Sequence, residues 1–156
     1  MEHFIVKAKK NDLQEILILQ KTAYKKEADR YNDQSIPPLI QTMEEIEKDY
    51  EDTLFLKLSI NENIVGSIKG KVENDTCSIG RLMVHPDYQK KGYGKELIKA
   101  LEDEILESTS LNRFELFTGE ISFDNIALYE SQGYRIFKTV PFDEEINIVY
   151  MEKIIK

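Results

Sequence analysis

The stretch from Thr76 to Thr118 constrains the fold most tightly. Thr76–His85 is an apolar run rich in strand-forming residues, Pro86-Asp87 interrupts it, and Gln89-Lys90-Lys91-Gly92-Tyr93-Gly94 makes a glycine turn. From Tyr93 to Glu107, Leu97, Ile98, Leu101 and Ile105 recur at helical spacing, with Lys95, Lys99 and Glu102 on the wet face. Arg113–Thr118 then reads as another strand. A strand, a helix and a strand over this length close as a parallel crossover. Upstream, Thr53–Ile60, Ile64–Val72 and Thr76–His85 are separated only by Asn61-Glu62-Asn63 and Glu73-Asn74-Asp75. Turns that short permit only antiparallel pairing. One sheet therefore has to hold both kinds of neighbour.

The flanking segments fit around that sheet. His3–Lys9 alternates Phe4, Val6 and Ala8 with polar residues, as a strand does. Asn11 or Asp12 caps a helix through Leu13, Ile16, Leu17, Gln20, Lys21 and Tyr24. Tyr31–Pro38 reads as a loop and a candidate substrate wall, and Thr42 with Glu45 forms a capping box for a second helix. Asn125–Gln132 is helical and closed by Gly133, while Tyr134–Val140 and Asn147–Ile154 are strands. The prediction is an α/β (α+β) fold: one domain over residues 1–156, with a mixed twisted sheet of about six or seven strands flanked by helices.

Composition limits the partners. A net charge of −8 and a pI near 4.9 disfavour nucleic acid, whose phosphates need a positive field. No apolar run approaches the ~20 residues that cross a bilayer, and the start lacks a signal peptide's basic and apolar regions. Cys77 stands alone and cannot form an internal disulfide. A cytoplasmic protein that binds neither membrane nor nucleic acid is the expectation. Cys77 reads as a buried small hydrophobe, and the sparse histidines His3 and His85 suggest no metal site.

The glycine turn carries the chemistry. Gly92 and Gly94 let the backbone turn sharply where a helix begins, so successive amides and the positive helix end face outward. That arrangement suits an anion, a pyrophosphate in particular. Between Pro86 and Ala100 four lysines (90, 91, 95, 99) stand against Asp87 and Glu96, a basic island in an acidic chain. A triphosphate P-loop is disfavoured because Glu96 follows Gly94-Lys95 where a hydroxyl is needed. A Rossmann fingerprint is disfavoured because Leu97 stands where a third small residue belongs.

Gln89-Lys90-Lys91-Gly92-Tyr93-Gly94 resembles the Q/R-x-x-G-x-G/A signature of the GCN5-related N-acetyltransferases, and Leu82-Met83-Val84-His85-Pro86 is similar to the strand ending in a [HD]-P turn that precedes it there. Residues from Ser122 to Tyr134 look like the family's second signature, N-x-x-A-x-x-L-Y-x-x-x-G-[FY], with Ser122 at the asparagine position and Asn125 three residues later. The resemblance implies acetyl-CoA as cosubstrate. Backbone groups of Leu82, Met83 and Val84 would meet the pantetheine arm, with Gln89 and the amides of Lys90, Lys91, Gly92, Tyr93, Gly94 and Lys95 at the pyrophosphate. Asn125 would touch the cofactor, with Ser122 as its competitor.

Tyr129 matches the tyrosine beside the CoA sulfur, where a phenol near pKa 10 can protonate a thiolate whose acid lies near 8.5. Acetyl would pass directly to a primary amine of a small molecule, peptide or protein. No general base stands out; Glu115 and Glu120, nearby in sequence, are the candidates. That gap keeps a rival reading open, a non-catalytic acyl-CoA sensor, and a phosphate-binding module is a more distant one. The acceptor is undefined, and a homodimer is compatible with the sequence.

Overall fold

In the computed structural model, which describes residues 2–155, the short turns act as their residues dictate. Asn61, Glu62 and Asn74 adopt left-handed backbone (φ 51°, 68° and 58°). They reverse the chain between β2 (Leu54–Ile60), β3 (Asn63–Glu73) and β4 (Thr76–Val84). The first of these is a two-residue hairpin, with Ile60 opposite Asn63, and positive φ at both central residues matches the twist of the strands. β1 (His3–Lys7) adds antiparallel to β2. β5 (Arg113–Gly119) lies parallel to β4, and β7 (Asn147–Ile154) pairs antiparallel with both β5 and β6 (Arg135–Pro141). Among the described residues the sheet has seven strands in the order β1-β2-β3-β4-β5-β7-β6. It is mixed as expected, with one parallel neighbour pair.

Helices cover both faces. α1 (Leu13–Ala23) and α4 (Met43–Tyr50) bury Leu13, Ile16, Leu19 and Ile46 against Phe55, Ile64 and Met83. α5 (Tyr93–Ser108) and α6 (Phe123–Ser131) bury Leu97, Leu101, Ile105 and Tyr129 against Leu58, Ile68, Phe114 and Met151 on the other side. Thr42 caps α4 reciprocally with Glu45, as the spacing requires. Among the described residues no helix is long and apolar enough to cross a membrane.

Several boundaries differ from the sequence reading. The first helix breaks at Tyr24 and resumes as α2 (Lys25–Arg30), and the Tyr31–Pro38 segment runs into a helical turn, α3 (Pro37–Ile40), because proline is pre-set for a first helical turn. α6 begins at Phe123 rather than Asn125. β1 ends at Lys7 and β4 at Val84.

Glu102, expected in water, is buried at 7% exposure. The Tyr134 hydroxyl (2.7 Å) and the Lys153 ammonium (2.9 Å) both donate to it, tying α5 to β7. Helical periodicity cannot show partners supplied from the far end of the chain. Removing the carboxylate strands a buried phenol and a partly exposed ammonium, so Glu102→Ala is expected to cost about 2 kcal/mol. Urea unfolding checks this, and a loss below about 0.5 kcal/mol would mean that the two donors re-partner freely.

Candidate active site

β4 and β5 touch only where Thr76, Cys77 and Ser78 lie beside Arg113, Phe114 and Glu115. Beyond that point they part. β4 carries a register shift against β3 between Ser67 and Lys69, opposite Arg81, which holds left-handed backbone at φ 50°. A bulge of this kind bends and twists its strand. β5 instead stays in register with β7 as far as Gly119–Ile148. The parting opens a cleft of about 640 Å³ with Ile79, Arg81 and Leu82 on one wall and Leu116, Phe117, Thr118 and Gly119 on the other.

The glycine turn lies beyond the end of β4. Lys90 (φ 64°) and Gly92 (φ 86°) are both left-handed, the kind of backbone from which anion-holding nests of amides are built. The Glu96 amide is the first of α5 to reach a carbonyl, that of Gly92 (3.2 Å). Among the described residues the amides of residues 90–95 have no acceptor. A Cβ placed on Gly92 would meet nothing within 4 Å, so the space above the turn is open. Gly94 packs closely under α6, its hypothetical Cβ lying 3.3 Å from Leu128. The two glycines therefore have different causes: backbone conformation at 92 and close packing at 94.

Tyr129 is the buried phenol of the cleft. Burial, reinforced by Tyr24, Glu27 and Asp124, drives its pKa well above the usual phenol value. Its hydroxyl has no hydrogen-bond partner among the described residues. Tyr24 shares the cleft, and burial pushes it up to about 12, but its hydroxyl already donates to the Leu82 carbonyl (2.9 Å). Only Tyr129 of this pair has its proton free to offer.

The other sequence candidates separate. Ser122 is fully buried and bonded to the Tyr31 hydroxyl (2.7 Å) and Glu27 (2.8 Å), so it is occupied within the protein. A Cβ on Gly119 would overlap the Tyr31 hydroxyl, so glycine there is what admits Tyr31. Asn125 lines the cleft and donates to the Thr118 hydroxyl (3.3 Å). Gln89 braces the turn by donating to the Val84 carbonyl (2.9 Å). The carbonyls of Leu82 and Val84 thus each carry one internal bond, and the Met83 side chain is buried in the α1 face. Glu115 pairs with Arg113 (3.5 Å), Glu120 accepts from Asn147 (3.3 Å), and neither lines the cleft. The carboxylates that do are Glu27, Asp33, Asp49 and Asp52. Burial and Glu102 push the Cys77 thiol up to about 12, so it holds its proton and is no nucleophile.

Sequence reasoning missed Arg81, Tyr24 and Glu27. The first had a signal, a lone cation inside the run Ile79–Val84. The others depend on where α2 folds.

A family model described as the acetyltransferase (GNAT) family matches residues 10–134. The chain belongs to that family. A protein named acetyltransferase from Yersinia pestis (strain Pestoides F) is 30% identical over 91 residues, covering 58% of this chain and 64% of its own length. The chain spans less than two thirds of the first curated relatives it matches, 35% in one case and 64% in others. Among solved GNAT-type structures, the ribosomal-protein-S18-alanine N-acetyltransferase of Escherichia coli superposes with a TM-score of 0.81 at 22% identity, over 99% of this chain and 95% of that one. The PaiA N-acetyltransferase of Thermoplasma acidophilum, solved with coenzyme A, gives 0.77 at 20% identity over 99% of both chains. At these identities the likeness is one of fold.

Proposed function

We propose that the protein is an acetyl-CoA-dependent N-acetyltransferase that passes acetyl directly to a primary amine, and that it works in the cytoplasm, where the free thiol of Cys77 is at home. Two observations carry the reading together: the acceptor-free amides of residues 90–95, at a turn with open space over Gly92, and a cleft on the same strand β4 that contains a buried, unpartnered phenol. Those amides, with Lys90, Lys91 and Lys95 adding positive charge, hold the cofactor's pyrophosphate. Gln89 fixes the turn to the end of β4, and Asn125 meets the cofactor from α6. Bound acetyl-CoA supplies the thioester.

Tyr129 keeps its proton until a thiolate leaves and then donates it, helped by a site that excludes water. Glu27 is within electrostatic reach of Tyr129, Tyr24 and Tyr31 and attracts the acceptor's ammonium. It is itself held by Arg30 (2.7 Å) and Ser122 (2.8 Å), which keep its carboxylate in place.

Calorimetry with acetyl-CoA, followed by release of CoA thiol across a panel of amines, tests this reading. Binding together with amine-dependent release supports it. Binding without release from any amine would instead support a sensor, and no binding would remove both.

A further inference from the structure

We propose that Arg81 is the anion-holding residue of the acceptor subsite, and that the acceptor is a free amino acid with an apolar side chain. The inference rests on the acetyl-transfer reading and names its substrate class. Arg81 lines the cleft from the bulge of β4, in left-handed backbone (φ 50°) that a non-glycine residue adopts only at a cost. Its Nε is buried with no partner, and among the described residues its guanidinium makes no hydrogen bond or ion pair. The remaining guanidinium nitrogens are not sealed in, so they are open to a ligand.

Every other charge on the cleft wall is engaged. Lys69 pairs with Asp49 (3.0 Å), Lys71 with Asp52 (3.2 Å), and Asp33 accepts from Ser35 (2.6 Å). Glu27 is held by Arg30 and Ser122. Arg81 is therefore the uncompensated cation. Its charge is felt by Tyr24, and it adds to the burial that depresses the Lys69 ammonium. A half-buried guanidinium with an unmet N–H is unfavourable alone and favourable once a carboxylate arrives, because its fork matches both oxygens.

The rest of the acceptor follows from the walls. Ile36, Pro37, Phe117, Phe142, Ile148 and Tyr150 give the cleft an apolar lining suited to an aliphatic or aromatic side chain. Glu27 provides the field for the ammonium near Tyr129. A small molecule that carries an amine, a carboxylate and an apolar side chain meets all three features. A peptide N-terminus has an amide where Arg81 calls for an anion, and a simple amine has nothing there.

The test compares phenylalanine, phenylalanine amide and phenethylamine as acceptors for the wild type, Arg81→Lys and Arg81→Gln. The wild type is expected to favour phenylalanine in kcat/KM by about 100-fold over either uncharged analogue, the scale of one buried charge-assisted contact. In Arg81→Gln this preference falls to a few-fold, and Arg81→Lys lies between, since it keeps the charge without the fork. Calorimetry with N-acetylphenylalanine and its amide reads the same preference without turnover. No carboxylate preference in the wild type, or the same preference in Arg81→Gln, would overturn the Arg81 proposal and leave transfer intact. Failure of every amine in the thiol assay would instead overturn transfer, and the calorimetric arm would still decide on Arg81.

Discussion

Replacing Gly92 with valine is expected to raise the dissociation constant for CoA by at least about 100-fold, or about 2.7 kcal/mol, with little change in the unfolding midpoint. Gly92 holds φ at 86°, which a β-branched residue reaches only under strain. The valine side chain itself would meet open space, so the folded core has no reason to suffer. The substitution relieves its strain by rotating the 91–92 and 92–93 peptide planes, and the amides then no longer converge. Isothermal titration with CoA, paired with a thermal melt, reads both quantities. Unchanged affinity would show that the turn is not where the diphosphate sits. A collapse of the melt together with affinity would show that Gly92 serves the fold.

Tyr129→Phe should lower kcat by about 100-fold or more while leaving CoA affinity within about threefold, as loss of a positioned proton donor does. The effect is large because the neighbouring buried phenol, Tyr24, already commits its proton to the Leu82 carbonyl. The pH dependence follows from the sign of the shift. A phenol raised well above its usual value stays protonated through the whole working range. The wild-type rate should therefore rise as the acceptor amine deprotonates and show no fall by pH 10. A descending limb below pH 10, or equal losses in kcat and cofactor affinity on Tyr129→Phe, would contradict the donor role.

The sheet was legible because its determinants are local. Asn61-Glu62 and Asn74-Asp75 are turn residues between alternating strands, and the 76–118 segment had one topological outcome. The glycine turn was legible for the same reason: Lys90, Gly92 and the start of α5 adjoin in sequence and act through backbone. What the sequence hid depends on distant partners. Ser122 looked like a rival to Asn125, but Tyr31 and Glu27, some ninety residues earlier, occupy it. Glu115 and Glu120 were near Tyr129 along the chain and are absent from the cleft wall, where α2 places Glu27 instead. Glu102 looked solvated until Tyr134 and Lys153 closed over it. Arg81 was passed over inside a strand, and the bulge that puts it on the cleft wall appears only when β3 and β4 are paired.

The central claim is that the backbone amides of residues 90–95 hold a diphosphate, and amide resonances of the ¹⁵N-labelled protein test it most directly. Titration with CoA should move the signals of residues 90–95, and titration with pantetheine, which lacks the diphosphate, should leave them in place while perturbing signals along β4. If pantetheine moves the turn amides as much as CoA does, or CoA leaves them unmoved while binding elsewhere, the cradle is not at this turn.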